Sequence, residues 1–201
     1  MMLALKEWSI ICKALEDGNQ TILLRKGGIL EYKKGFEISQ KSFMLYPTLE
    51  HQGSEYLQPK YLQTYDLILG ANKSEEIQSN TNTLRSIARI EAIQEFHDHE
   101  VLPELEKYHI WNEKYVNMRM NYNPKKPMNA LLLRVYKLPQ PITIDDVNPE
   151  WAGCKSWIDI DMSEKYVNQF GNIPDLFDQS EPVIKDKEFE KIFESFKEIW
   201  N

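Results

Sequence analysis

Cysteine is scarce in this chain, with two in 201 residues. Cys12 and Cys154 lie far apart and neither belongs to a Cys-x-x-Cys pair, so a zinc ribbon or a thioredoxin-type dithiol has no basis, and reduced, core-packed thiols are the expectation. Long hydrophobic runs are missing as well. Nothing approaches the roughly 18 to 20 apolar residues of a membrane span, and the amino end lacks a basic segment followed by an apolar one. The sequence therefore predicts a soluble, cytoplasmic protein with no membrane partner. Catalytic signatures are also absent: there is no Walker loop, no Gly-x-Ser-x-Gly elbow, no His-Glu-x-x-His and no dinucleotide fingerprint, which shifts weight from an enzyme towards a binding module. Internal repeats and low-complexity segments are lacking too.

What is present is ordinary globular material. Hydrophobic residues make up 42% and charged residues 27% of the chain, which argues against disorder and against a coiled coil. A chain of this length suits one domain, 1–201, burying roughly 70% of its unfolded surface. The net charge of −7 is unevenly spread. Residues 101–137 hold 7 Lys and Arg against 3 Asp and Glu, whereas residues 138–201 hold 6 against 14. Charge attraction acts over about 8 to 10 Å at ordinary salt, so a local cationic excess matters even in an acidic protein.

Along the chain, Trp8, Ile10, Cys12 and Ala14 alternate, and Asp17-Gly18-Asn19 precedes the β-rich run 21–25, which reads as a hairpin, although Leu5, Trp8, Cys12 and Leu15 also fit a helix. Residues 41–46 read as a strand stopped by Pro47, and 56–69 as a helix with Pro59 in its first turn. Residues 70–83 are almost devoid of apolar side chains and read as a polar loop. A strand buried on both faces is predicted over 84–96, and short helices over 102–111 and 112–121, the second with Asn112 as its cap. The clearest strand is 130–138. Pro139, Pro141, Pro149 and Gly153 mark an irregular stretch, 156–160 gives a further strand, and 163–182 reads as loop with a brief helix. Phe189, Ile192, Phe193, Phe196 and Trp200 recur at helical spacing. They predict that the acidic extension 162–201 ends in a docked amphipathic helix.

Rings and cations coincide in one place. Trp111, Tyr115, Arg119 and Tyr122 form one stripe on a helix, with Lys125 and Lys126 at its end. Exposed rings stack on unpaired bases for about 1 to 3 kcal/mol each while Lys and Arg meet phosphates. The same spacing also suits a core stripe with Arg119 reaching out to solvent. Arg25 and Lys26, followed by Gly27-Gly28, add cations and backbone N–H groups, or simply a turn. Phe96-His97-Asp98-His99-Glu100 concentrates ligand-type side chains where a strand gives way to a helix, a poor geometry for convergence, so no metal site is expected.

An enzymatic alternative is a metal-dependent phosphodiesterase. Asp159 and Asp161 share a strand face and Glu91 lies on another strand, which is the carboxylate set needed to hold a divalent ion. A Glu-x-Lys on a strand, which such nucleases also use, is missing. The third reading is a partner-binding structural subunit or homo-oligomer, with the acidic last third meeting a basic surface.

Taken together, the segments Ala4-Leu-Lys-Glu-Trp-Ser-Ile-Ile-Cys-Lys-Ala-Leu15, Leu23-Leu-Arg-Lys-Gly-Gly-Ile29, Tyr46-Pro-Thr-Leu-Glu-His-Gln52, His109-Ile-Trp111, Lys125-Lys-Pro127, Leu132-Leu-Arg-Val-Tyr136 and Gly153-Cys-Lys-Ser-Trp157 resemble a bacterial domain of unknown function, the family numbered 1802, over about residues 3 to 160. That resemblance implies no activity and no catalytic residues. The order of elements is also similar to PUA-like small barrels of the ASCH and EVE type, in layout alone. The sequence thus predicts an α+β domain with a curved, mixed and mostly antiparallel sheet, PUA-like as first choice, flanked by short helices. Its expected role is a non-catalytic nucleic-acid-binding module, a reader of modified or extruded bases. Trp111 and Tyr115 would stack, and Arg25, Lys26, Arg119, Lys125 and Lys126 would contact phosphates of DNA or RNA. No cofactor is expected, a divalent metal entering only with the phosphodiesterase.

Overall fold

Hydrophobic alternation along the strands dictates a sheet with both faces covered, and the computed structural model builds one from residues 2–26, 41–75, 81–122, 124–145, 147–153, 156–160 and 173–201, the residues it describes. Strand β1 (Met2–Trp8) leads into helix α1 (Ser9–Glu16) and strand β2 (Ile22–Lys26). Strand β3 (Ser42–Thr48), helix α2 (Leu62–Glu75), the long strand β4 (Thr81–Phe96) and the short helix α3 (Leu102–Leu105) follow. Helix α4 (Glu113–Asn121) then enters the longest strand, β5 (Met128–Asp145). Strand β6 (Trp157–Ile160), helix α5 (Ile173–Gln179), strand β7 (Glu181–Pro182) and helix α6 (Asp186–Glu198) complete the order.

The strands form one seven-stranded sheet in the order β2-β5-β4-β3-β1-β6, with β7 against β5. Only β1 and β3 run parallel; the other pairs are antiparallel. The expectation of a mixed, mostly antiparallel sheet in an α+β domain is met. Successive residues of a strand point to opposite faces. Ile158, Ala4, Met44 and Ile87 therefore stand in one row across the sheet, inside a core capped by Leu176 of α5. Leu5 and Leu45 face the other way into a larger core that takes residues of α1, α4 and α6.

The sheet curls. Three strands stand between β1 and β2 in the hydrogen-bonded order, yet Arg25 of β2 donates to Glu7 Oε2 of β1 at 2.5 Å and to the Lys6 carbonyl at 3.2 Å. Pairing of β6 with β1 extends from Met2 to Leu5 and ends at the Lys6 N–H, which donates to Ser156 O at 2.8 Å, so the Lys6 carbonyl and Glu7 are left for this approach. Bulges in the β4–β5 ladder, after Leu84 and after Ile90, supply local bending of the kind that closes barrels.

Several sequence expectations are corrected. The hairpin over 4–15 and 21–25 does not form, because its two competing readings are both realised in tandem: a strand to Trp8, then a helix from Ser9 that buries Ile10, Ile11, Cys12, Ala14 and Leu15. Gly18 (φ 74°) ends that helix, its N–H donating to Leu15 O and that of Asn19 to Ala14 O, a helix-terminating turn in place of a hairpin turn. The polar segment 70–83 is helix up to Glu75 and strand from Thr81. Its side chains were misleading because polarity marks solvent exposure rather than loop. Pro139 and Pro141 do not end β5. Leu84 pairs with Ile142 and Ser86 with Lys137, so the prolines fall in the extra residues of a bulge, where no ladder N–H is needed. Likewise Pro47 sits within β3, opposite Glu7. Gly27, Gly28, Cys154 and Asp161 lie outside the described residues. Among the described residues no helix is long and apolar enough to cross a membrane.

Candidate nucleic-acid interface

Helix α4 carries the middle of the predicted stripe, Tyr115 and Arg119, with Trp111 before its cap and Tyr122 at its end, and its entry is fixed by backbone pairing. Trp111 forms an isolated antiparallel bridge with Leu57. Asn112 caps the helix by accepting from the Tyr115 N–H at 3.1 Å and donates its amide to the carbonyls of Glu55 (2.8 Å) and Leu57 (3.1 Å). Such a cap satisfies donors that the first helical turn leaves orphaned.

This anchoring puts the first half of the stripe indoors. Trp111 is 1% exposed and Tyr115 8%. The two rings stack at 5.0 Å with 16° between planes, and Trp8 and Tyr56 pack on Tyr115 at 5.1 and 5.7 Å. Burial pushes the Tyr115 hydroxyl up to about 12, with the Glu7 carboxylate acting in the same direction. Neither ring offers a face to a base, so the stacking role expected of Trp111 and Tyr115 is corrected: the apolar area of large rings at helical spacing is spent on the core.

Two of the expected phosphate contacts are engaged in the same region. Arg25 is held by Glu7, whose other oxygen accepts the Trp8 N–H at 2.9 Å. Lys26 is 5% exposed and its ammonium donates to the Met120 carbonyl of α4. Burial, then the charge of Arg119, lowers its pKa. Both are structural ties between β2, β1 and α4, not free cations.

The second half of the stripe leaves the core. Tyr122 is 65% exposed and Met118 42%. Arg119 is half-buried, with its guanidinium carbon 5.9 Å from the Tyr122 ring centroid and its Nε without a hydrogen-bond partner. Lys125 and Lys126 are exposed in the turn before β5. Among the described residues no carboxylate pairs with Arg119, Lys125 or Lys126. Sequence reasoning counted Tyr122 in the stripe but assigned stacking to Trp111 and Tyr115, which are buried. It missed Glu7 and Trp8, for which the available signal was a charge set inside a strand that is otherwise buried.

Of the phosphodiesterase carboxylates, Glu91 and Asp159 do not come together, and Asp161 lies outside the described residues. Glu91 accepts from Arg89 Nε at 2.6 Å on β4, while Asp159 is exposed on β6 with β3 and β1 between them. Among the described residues no group of three His, Cys, Asp or Glu side chains could hold a metal ion.

An α+β domain built on a curled mixed sheet, with a basic, ring-bearing edge at the end of α4, is what the coordinates define. The family model described as Domain of unknown function (DUF1802) matches residues 4–195, and the chain belongs to that family. Among solved structures it is similar to ASCH from Zymomonas mobilis, with 12% identity, 89% of this chain and 94% of that chain covered, and a TM-score of 0.47. Two point variants of that protein match with 15% and 13% identity, each covering 83% of this chain and 94% of theirs at a TM-score of 0.47. No curated protein matches.

Proposed function

We propose that this chain is a non-catalytic module that binds single-stranded nucleic acid through the C-terminal end of α4 and the turn after it. Tyr122 stacks on an unpaired base, and Arg119, Lys125 and Lys126 meet the flanking phosphates. One observation carries the reading: a ring that is 65% exposed stands among three cations with no carboxylate partner among the described residues, in a protein of net charge −7. The clustering of these cations beside an exposed Tyr makes a surface that suits a polyanion with flat faces better than a simple anion. Trp111 and Tyr115 act here as the rigid foundation of the helix that presents the patch.

The test is filter binding of labelled single-stranded, double-stranded and base-modified oligonucleotides across a salt series, with and without magnesium or manganese. Three phosphate contacts predict a log–log salt slope of about −2 on single strands, reduced by about 1.4 in the Lys125→Ala/Lys126→Ala protein. No retention at low salt would overturn the proposal. Metal-dependent cleavage would overturn its non-catalytic part.

A further inference from the structure

A second site lies apart from the α4 edge, in a cleft of about 270 Å³ between the turn after α1, the segment leading to Tyr108 and helix α6. Thr21, Lys107, Tyr108, Lys191, Ile192 and Ser195 line it. Thr21 is pinned at both backbone ends, its N–H donating to Tyr108 O at 2.9 Å and its carbonyl accepting from Leu133 N at 2.8 Å. The residue is 5% exposed and its hydroxyl has no partner, which is unfavourable for a buried donor unless something in the cleft bonds it.

The other wall is prepared in the same sense. Ser195 Oγ accepts from Lys107 Nζ at 3.0 Å and from the Tyr108 hydroxyl at 3.0 Å. With both lone pairs taken, its own proton is free to donate. Lys191 adds a second ammonium and has no carboxylate partner among the described residues. Several acceptors nearby are consumed, while Asn19 leaves an exposed amide at the rim that can donate as well as accept. Gln20 gives its amide to Ile22 O and takes the Ile110 N–H, and the Ala14 and Leu15 carbonyls at the end of α1 take the N–H groups of Asn19 and Gly18. No Asp or Glu lines the cleft. The cleft therefore offers two hydroxyl donors, the Asn19 amide and two positive charges.

We infer that this cleft binds a small phosphate monoester. The two ammonium groups match a dianion, lysine being a common point-charge partner of phosphate. The Tyr108 ring and Ile192 supply the apolar wall for a compact organic group, and the volume sits just below the roughly 300 Å³ at which small-molecule pockets begin.

The experiment titrates the full chain with AMP, inorganic phosphate and adenosine, read by calorimetry and by the ³¹P chemical shift. AMP binds with a dissociation constant in the low millimolar range or tighter, phosphate binds more weakly, and adenosine does not bind. Thr21→Val, isosteric with the native residue, and Lys191→Met, at an exposed position, each weaken AMP about tenfold, the usual scale for losing a hydrogen bond to a charged group. Melting temperatures without ligand show that both variants fold. Absence of any AMP shift with the folded wild-type chain, affinity unchanged in both variants, or equal affinity for phosphate and AMP would each overturn the inference.

Discussion

Helices α4 and α6 look alike on paper and behave differently. Around α6, Phe189, Phe193, Phe196 and Trp200 follow at spacings of 4, 3 and 4, and around α4, Trp111, Tyr115, Arg119 and Tyr122 follow at 4, 4 and 3. In α6 the stripe stays against the core: Phe189 and Phe196 are buried at 6% and 1%, and Ile192 and Phe193 pack on the same cluster. Arg134 of β5 holds the start of that helix through Asp186 and lies 4.5 Å from the Phe189 ring. Along the α4 stripe Trp111 and Tyr115 are buried whereas Tyr122 is exposed, although Met120 on the neighbouring face stays in the core. Ring spacing tells which side of a helix is apolar but not where along its length the helix leaves the core, and at α4 that exit creates the basic, ring-bearing surface.

The comparison is broken most severely from the α6 side. Ending the chain after Lys185 removes two buried phenylalanines, each worth about 3 to 5 kcal/mol when cut back, against a total domain stability of about 5 to 15 kcal/mol. The expected outcome is loss of the cooperative transition in thermal melts followed by circular dichroism. A truncated protein that still melts sharply would show that α6 is an ornament rather than part of the core.

On α4 the first half is expected to behave like α6. Trp111→Ala opens a cavity under Tyr115 and costs about 3 to 5 kcal/mol, which for a domain of this size lowers Tm by roughly 10 °C. Trp111→Phe is milder, since it keeps most of the ring and deletes an indole N–H that has no partner. Differential scanning calorimetry of the pair separates a packing role from any surface role.

Beside Trp111, at 5.4 Å, sits His109, 5% exposed and held by burial at a pKa of about 4. Because the folded value lies below the unfolded one of about 6.5, the unfolded chain binds the extra proton, and stability present above pH 6.5 is lost as pH falls towards 4. The loss amounts to about 2.5 kcal/mol by pH 4.5. Glu50, lowered by Lys6, contributes only below about 4.5, so the window from 6.5 to 4.5 separates the two groups. Urea midpoints should fall with acid across it for the native protein and fall less for His109→Phe; an equal fall in both would mean that the imidazole is not sealed.

The same contrast explains what the sequence could reveal. Elements whose signal is carried by their own side chains were legible: the strand around Leu132, the Asn112 cap and the α6 stripe. Elements defined by partners far away in sequence were not. Pro139 and Pro141 stop a strand in isolation and are tolerated here because they fall in the extra residues by which β5 bulges against β4. Asp17-Gly18 serves a helix end as well as a hairpin, and only the pairing of β1 with β3 and β6 decides between the two. For the site, the cations at Lys125 and Lys126 were readable, whereas the engagement of Arg25 by Glu7 depends on curling of the sheet, which brings together strands that are not neighbours in it.

The smallest effect on stability should come from the exposed half of α4, and it is the one that tests function. Tyr122→Ala removes a ring that contributes little to the core, so a stability change within about 0.5 kcal/mol is expected. Binding of single-stranded oligonucleotides should nevertheless weaken roughly tenfold with little change in salt slope, because stacking is lost while phosphate contacts remain. Trp111→Phe should leave affinity unchanged under the same conditions. If Tyr122→Ala instead lowers Tm as much as Trp111→Ala does, Tyr122 belongs to the core like the α6 rings, the two helices are equivalent, and the exit of α4 is not a recognition surface.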